Sequence, residues 1–245
     1  MSTGKNKLIT FGCSFTYGHG FPDCDDVCMS ADPNTPASKH AWPNYVASEL
    51  GMDLLNLSSP GCGCYELGRR FMRNLYRISK DDIVVIQWPF IERWPIVFGS
   101  GYEDVCKLTP GLDTVSYDGD ITIIDVEKYF TDYTTDYHNL EIFMHTSTMV
   151  DQVCKNKGIS VIHSMFDDHQ RRMLKQALKL EDYEWYDVNI ERLSFNYLEA
   201  NPKRTYKKFP LREFALLSDG HFGKDHHELW AESVYRKIVR RGWLN

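Results

Sequence analysis

The chain predicts an open α/β sandwich, a parallel sheet covered by helices that cross over in the right-handed sense from strand to strand. Two observations carry this. Short apolar, β-branched runs recur at residues 7–11 (KLITF), 53–57 (DLLNL), 83–88 (IVVIQW) and 159–163 (ISVIH) without polar alternation, which is how strands buried on both faces read. Segments of helical period lie between them.

The first strand stops at Gly12 and runs into a small-residue, hydroxyl-rich turn, GCSFTYGHG. Residues 19–42 follow, rich in Pro, Asp and Ser, and read as a long inserted loop. A helix over 43–50 opens with Pro43 and closes at Gly51, the usual start and stop signals. After the second strand, residues 65–78 place Leu67, Phe71, Leu75 and Ile78 on one helical face. The third strand leads into residues 89–137, where Gly, Tyr and Asp cluster around a strand pair near 113–126. A helix over 139–157 precedes Gly158 and the fourth strand, and helices over 168–180 and 225–240 complete the pattern. The expected organisation is one domain over 1–245 with loop insertions at 19–42 and 89–137. Both insertions leave carboxyl ends of strands, the edge where open α/β sheets bind ligands.

With 245 residues, 42% of them hydrophobic, the chain can bury a full core. A net charge of −6 provides no footprint for a polyanion, and the basic cluster KRTYKK at 203–208 is local, so nucleic acid is not an expected partner. No apolar run approaches the roughly 20 residues that span a bilayer, and MSTGKNKLITFG lacks a secretory pattern. A soluble, cytoplasmic protein without a membrane partner is expected. Seven cysteines (13, 24, 28, 62, 64, 106 and 154) are odd in number and scattered, which reads as free thiols. Cys24, Cys28, Cys62 and Cys64 lack zinc-finger spacing, so neither a metal nor another cofactor is expected.

A strand-turn-helix with Gly-x-Ser at its tip lifts the serine hydroxyl above the carboxyl edge of the sheet. On the turn alone, Ser14 or Thr16 is either a helix cap or part of a reactive site. The other end of the chain bears on this choice. SDGHFGKDHHELWA, residues 218–231, sets an acid beside a histidine just before the last amphipathic helix. An Asp next to a His can hold its tautomer and stabilise the imidazolium formed when the ring takes a proton from serine.

Gly12-Cys13-Ser14-Phe15-Thr16-Tyr17-Gly18 resembles the first block, Gly-Asp-Ser-x-Thr-x-Gly, of the SGNH hydrolases (GDSL esterases and lipases), with Cys13 in place of the Asp. Asn56-Leu57-Ser58-Ser59-Pro60-Gly61 resembles the second block, and the run from Asp219 through His221 to His227 the last. The chain is also similar to SGNH-like reading frames of large tailed phages. The resemblance implies a flavodoxin-like, three-layer α/β/α sandwich with a central parallel sheet. It further implies a serine esterase acting on an ester of a small molecule or carbohydrate, with Ser14 as nucleophile, His221 as general base and Asp219 orienting it. The oxyanion donors would be the N–H groups of Ser14 and Gly61.

Three positions depart from the family pattern. Where the third block has an Asn, this chain reads Ile86-Gln87-Trp88-Pro89-Phe90, and Gln87 either supplies the missing amide or faces the sheet. One residue, not two, separates Asp219 from His221, and Ser218 stands at the usual acid position, so the His works with Asp219 or with a backbone carbonyl. Of the histidines near the last helix, His221 is the expected base, and one of His226 and His227 is expected to pack or cap. His19 and His163, also near strand ends, either line the site or serve the structure. Glu92, Arg93 and Trp94 bind or are ordinary surface residues. The alternative functions are acyl transfer with the same serine, and a non-catalytic carbohydrate or nucleotide binder that stacks ligand on Trp88, Trp94, Tyr102 and Tyr117.

Overall fold

The structure is a computed structural model describing residues 6–24, 37–97, 105–108, 114–115, 124–125, 128, 135–179, 183–191, 193 and 221–244. The first apolar run forms β1 (Lys7–Phe11), and the turn after it closes into one helical turn, α1 (Ser14–Tyr17). Helix α2 (Trp42–Leu50) begins with a proline at its second residue, and β2 (Asp53–Asn56) follows it. Helix α3 (Cys64–Asn74) tightens into a 3-10 turn over Leu75–Arg77, so the expected helix 65–78 narrows over its last turn. Strand β3 (Ile83–Trp88) is buried at all six positions.

Within the segment expected as a loop with one strand pair, the described residues hold two antiparallel pairs. These are β4 (Trp94–Val97) with β5 (Val105–Leu108), and β6 (Thr114–Val115) with β7 (Ile124–Asp125); the second lies inside the expected 113–126. Helix α4 (Asp136–Lys157) starts three residues before the expected boundary because Thr135 caps it, its side chain accepting from the His138 N–H at 3.1 Å. Strand β8 (Ser160–Met165) extends two residues past the expected run. Helix α5 (Asp168–Ala177) is capped by Asp167, which accepts from the His169 N–H. A two-residue strand, β9 (Ile190–Glu191), and helix α6 (Lys224–Arg240) follow.

The main sheet runs β2-β1-β3-β8-β9 and every pairing in it is parallel. Counting only these five strands, the order is the 2-1-3-4-5 of flavodoxin-like sheets. Side chains alternate across it. Ile9, Phe11, Val84, Ile86 and Met165 pack with Leu67 and Phe71 of α3 and Phe143 and Val150 of α4. Leu8, Ile83, Val85 and Ile162 pack on the other face with Trp42 and Val46 of α2 and Trp230 and Val234 of α6. This is the expected three-layer arrangement. Glu191 explains how so short a strand as β9 is held: its carboxylate binds Arg241 at 2.5 Å and Lys237 at 2.6 Å, while Arg241 also donates to the Val161 carbonyl of β8.

After β1 the chain turns to β2 on one side, and after β2 it crosses to β3 on the other. The carboxyl ends of β1 and β3 therefore flank the switch point of the sheet, where a crevice opens between diverging loops. Ser14 follows β1 and Gln87 lies at the end of β3.

Candidate active site

The serine turn is built by close contacts that dictate its residues. A Cβ on Gly12 would sit 2.1 Å from Thr16 Oγ1, so this position must be glycine for Thr16 to fold back across it. The Cys13 carbonyl accepts from the N–H groups of Thr16 and Tyr17, both at 3.0 Å, and the Ser14 carbonyl accepts from Gly18 and His19. Gly18 lies at φ 82°, a left-handed conformation that costs a glycine little. Cys13, at the position where the resemblance has an Asp, is fully buried in the apolar core. Ser14 is 5% exposed. Among the described residues its hydroxyl makes no hydrogen bond.

Two neighbouring segments are fastened to this turn. Thr16 Oγ1 donates to Gln87 Oε1 at 2.6 Å in a fully buried contact, tying the turn to the end of β3. Gln87 Nε2 has no hydrogen-bond partner among the described residues and is sealed from solvent. From the other side, Asn56 Nδ2 donates to the Thr16 carbonyl at 3.0 Å, and the Ser59 N–H donates to the Gly12 carbonyl at 3.0 Å. Asn56 Oδ1 in turn accepts the Ser58 N–H, so one side chain shapes the second-block loop and clamps it to the first. That loop passes through Gly61 at φ 69°. Neither the Ser14 nor the Gly61 N–H donates a hydrogen bond among the described residues.

His221 lies against the same turn. Its ring centroid is 4.7 Å from that of His19, edge-on, and 5.0 Å from that of Phe15. Phe15 and His19 follow Ser14 on the turn, so the His221 ring packs on the segment that carries Ser14, and among the described residues the two side chains make no hydrogen bond. Asp219 and Ser218 lie outside the described residues, as do the basic cluster at 203–208, Cys28, Tyr102 and Tyr117. His226 and His227 are both about 1% exposed. His226 stacks on Phe222 at 4.4 Å. His227 Nδ1 accepts the Trp42 N–H at 3.0 Å, and burial, helped by the charges of His226 and His221, pushes its pKa down to about 3. Both therefore pack, where one was expected to.

His163 belongs to the core. Its Nδ1 accepts from Trp88 Nε1 at 3.1 Å and its Nε2 lies 3.4 Å from Asp151, which pairs with Lys155. Burial lowers the His163 pKa, with Asp151 opposing the shift. Trp88 is fully buried here, which overturns its expected place on a ligand-stacking surface. The cause is β3 itself, a central strand with helices over both faces. Glu92, Arg93 and Trp94 are all partly buried; Glu92 accepts from Gln170 Nε2 at 2.7 Å, and Trp94 Nε1 donates to Asn139 at 2.6 Å while stacking on His138.

A row of aromatic rings borders the turn. Phe15 stacks on Phe166 at 4.1 Å, Phe166 meets Phe90 at 4.8 Å, and the Arg93 guanidinium lies over Phe90 at 5.0 Å. Asn56 and Phe166 border the turn without having been singled out for it in the sequence, and Thr16, weighed there with Ser14, ties the turn to β3. The signal for Asn56 was a polar amide ending an apolar strand, whereas Phe166 gives none.

Cys13, Cys24, Cys62, Cys64 and Cys154 are buried and form no disulfide, and burial raises the pKa of Cys154 to about 12. Among the described residues no three His, Cys, Asp or Glu side chains gather as metal ligands, and no helix is long and apolar enough to cross a membrane.

No protein-family model matches the chain, and no curated protein matches it. Solved structures resemble it. A lipolytic protein of the G-D-S-L family from Desulfitobacterium hafniense DCB-2 aligns with 94% of this chain and 98% of its own at TM-score 0.51 and 13% identity. A member of the lipolytic G-D-S-L family from Veillonella parvula DSM 2008 aligns over 96% and 98% at TM-score 0.50 and 11% identity. A family two carbohydrate esterase from Clostridium thermocellum, in complex with cellohexaose, aligns over 99% of this chain and 67% of its own at TM-score 0.54 and 13% identity. The chain thus has the fold of GDSL lipolytic proteins and carbohydrate esterases, as its blocks imply.

Proposed function

We propose that this protein is a serine esterase that cleaves an ester of a small molecule or carbohydrate. Ser14 Oγ attacks the ester carbonyl as His221 takes its proton, and the oxyanion forms against the N–H groups of Ser14 and Gly61 with Gln87 Nε2 as a third donor. His221 then gives its proton to the departing alcohol. Water, activated by the same ring, releases the acid and restores the serine. Asp219 is assigned the orienting role on the resemblance of the last block. Transfer of the acyl group to another hydroxyl would use the same groups and differ only in the acceptor.

The observation that carries this reading is the meeting of His221 with the Ser14 turn, through ring contacts at 4.7 and 5.0 Å to His19 and Phe15, from opposite ends of the chain. Further support is that the Ser14 hydroxyl and the three assigned donors are uncommitted among the described residues. A helix cap would instead spend its hydroxyl on a backbone N–H.

A panel of short p-nitrophenyl esters tests the assignment. Turnover by the wild type that is lost in Ser14→Ala and in His221→Ala, with melting temperatures preserved, supports it. Turnover that survives Ser14→Ala sinks it.

A further inference from the structure

Among the described residues Arg93 is a charge without a counter-ion. Its Nε and Nη1 are sealed from solvent and have no hydrogen-bond partner, and among the described residues its side chain forms no ion pair. Glu92, next to it, directs its carboxylate to Gln170 at 2.7 Å and does not pair with Arg93. Withdrawing part of a guanidinium from water without a compensating partner is costly, and such groups persist where something else repays the cost. The third nitrogen, Nη2, is not among the sealed atoms, so the charge can be approached from one side.

The position of Arg93 is fixed from two directions. Its guanidinium rests on Phe90, which joins it to the serine turn through Phe166 and Phe15. Its backbone carbonyl presses on the second-block loop, so closely that a Cβ on Gly63 would be 2.2 Å from it. The residue thus stands at the far end of an aromatic row that begins beside Ser14, on the loop leaving β3 at the switch point of the sheet.

We propose that Arg93 recognises an anionic group on the substrate, and that the ester this site takes is an extended one whose far end carries a carboxylate. This rests on the esterase reading for the word ester, and on Arg93 alone for the anion. The aromatic row accommodates the apolar stretch between the two ends, and the guanidinium accepts the carboxylate as a charge-assisted partner.

The test uses mono-p-nitrophenyl esters of succinic, adipic and suberic acids, each against the methyl ester of its free carboxylate. The expected result is a kcat/KM at least about tenfold higher for the carboxylate than for its methyl ester at one or more chain lengths. That preference should shrink in high salt and in Arg93→Gln, with Arg93→Lys intermediate. Equal turnover of the charged and methylated partners at all three lengths overturns the proposal.

Binding is measured separately, as the melting shift of Ser14→Ala on adding suberate or its uncharged diamide. A shift with suberate alone, lost when Arg93→Gln is added, supports the assignment even where no ester turns over, an outcome in which only the esterase reading fails. Shifts equal for suberate and diamide, or none with either, count against Arg93 even where esters are cleaved. If Arg93→Gln does not fold, the salt dependence and the diamide comparison decide.

Discussion

Thr16 Oγ1 donates to Gln87 Oε1 across 2.6 Å, with both residues fully buried. This one bond joins the turn that carries Ser14 to the end of β3 and leaves the Gln87 amide nitrogen as the uncommitted end of the side chain. Thr16→Val keeps the shape and removes the donor, which strands a buried acceptor. Stability should fall by about 1 to 3 kcal/mol in denaturant titration. Activity should fall as well, since the amide is no longer held.

If Gln87 Nε2 stabilises the oxyanion, Gln87→Leu should lower kcat by about a hundredfold with little change in KM, because the interaction forms only as charge develops. A purely structural Gln87 would lose stability with kcat retained. Steady-state kinetics alongside melting curves separate the two.

Gly12 is fixed by space rather than by backbone conformation. A methyl group there would lie 2.1 Å from Thr16 Oγ1 and 3.3 Å from the Gln87 carbonyl oxygen. Gly12→Ala should cost about 1 to 3 kcal/mol and displace the serine turn. The expected readout is a lowered melting temperature together with activity reduced beyond what the unfolded fraction explains.

His227 ties stability to pH. Its pKa is about 3 in the folded chain against the ordinary 6.5. Between these values the unfolded chain holds a proton that the folded chain refuses, so stability is complete above about pH 6.5 and drains as pH falls toward 3, by at most about 1.4 kcal/mol per unit. His163, also lowered by burial, adds to the slope in the same direction. In His227→Asn, where an amide oxygen can still accept the Trp42 N–H, urea midpoints measured from pH 7 to pH 4 should decline less steeply.

The strands that bury both faces were legible because nothing polar interrupts them: β1 and β3 fall on the expected residues, and β2 ends one residue early, at Asn56. Strand β9 was not, since two residues carry no period and Glu191 is held by Arg241 and Lys237 from the far end of the chain. Trp88 misled for a related reason. Aromatic character suggests a stacking surface, but only the sheet order tells that β3 is central and its tryptophan covered. For the proposed site, Ser14, Gly61, Gln87 and His221 stood out in the sequence because each sits in or beside a block with chemistry of its own. Arg93 could be named only as one of three residues that bind or lie on the surface, because its lack of an ion-pair partner among the described residues shows only in the fold.

The most direct measurement is labelling of the folded protein with a fluorophosphonate probe, followed by peptide mass spectrometry. A single adduct on Ser14 is expected, absent in Ser14→Ala and strongly slowed in His221→Ala. An adduct on another serine, or no adduct while the protein remains folded, would contradict it.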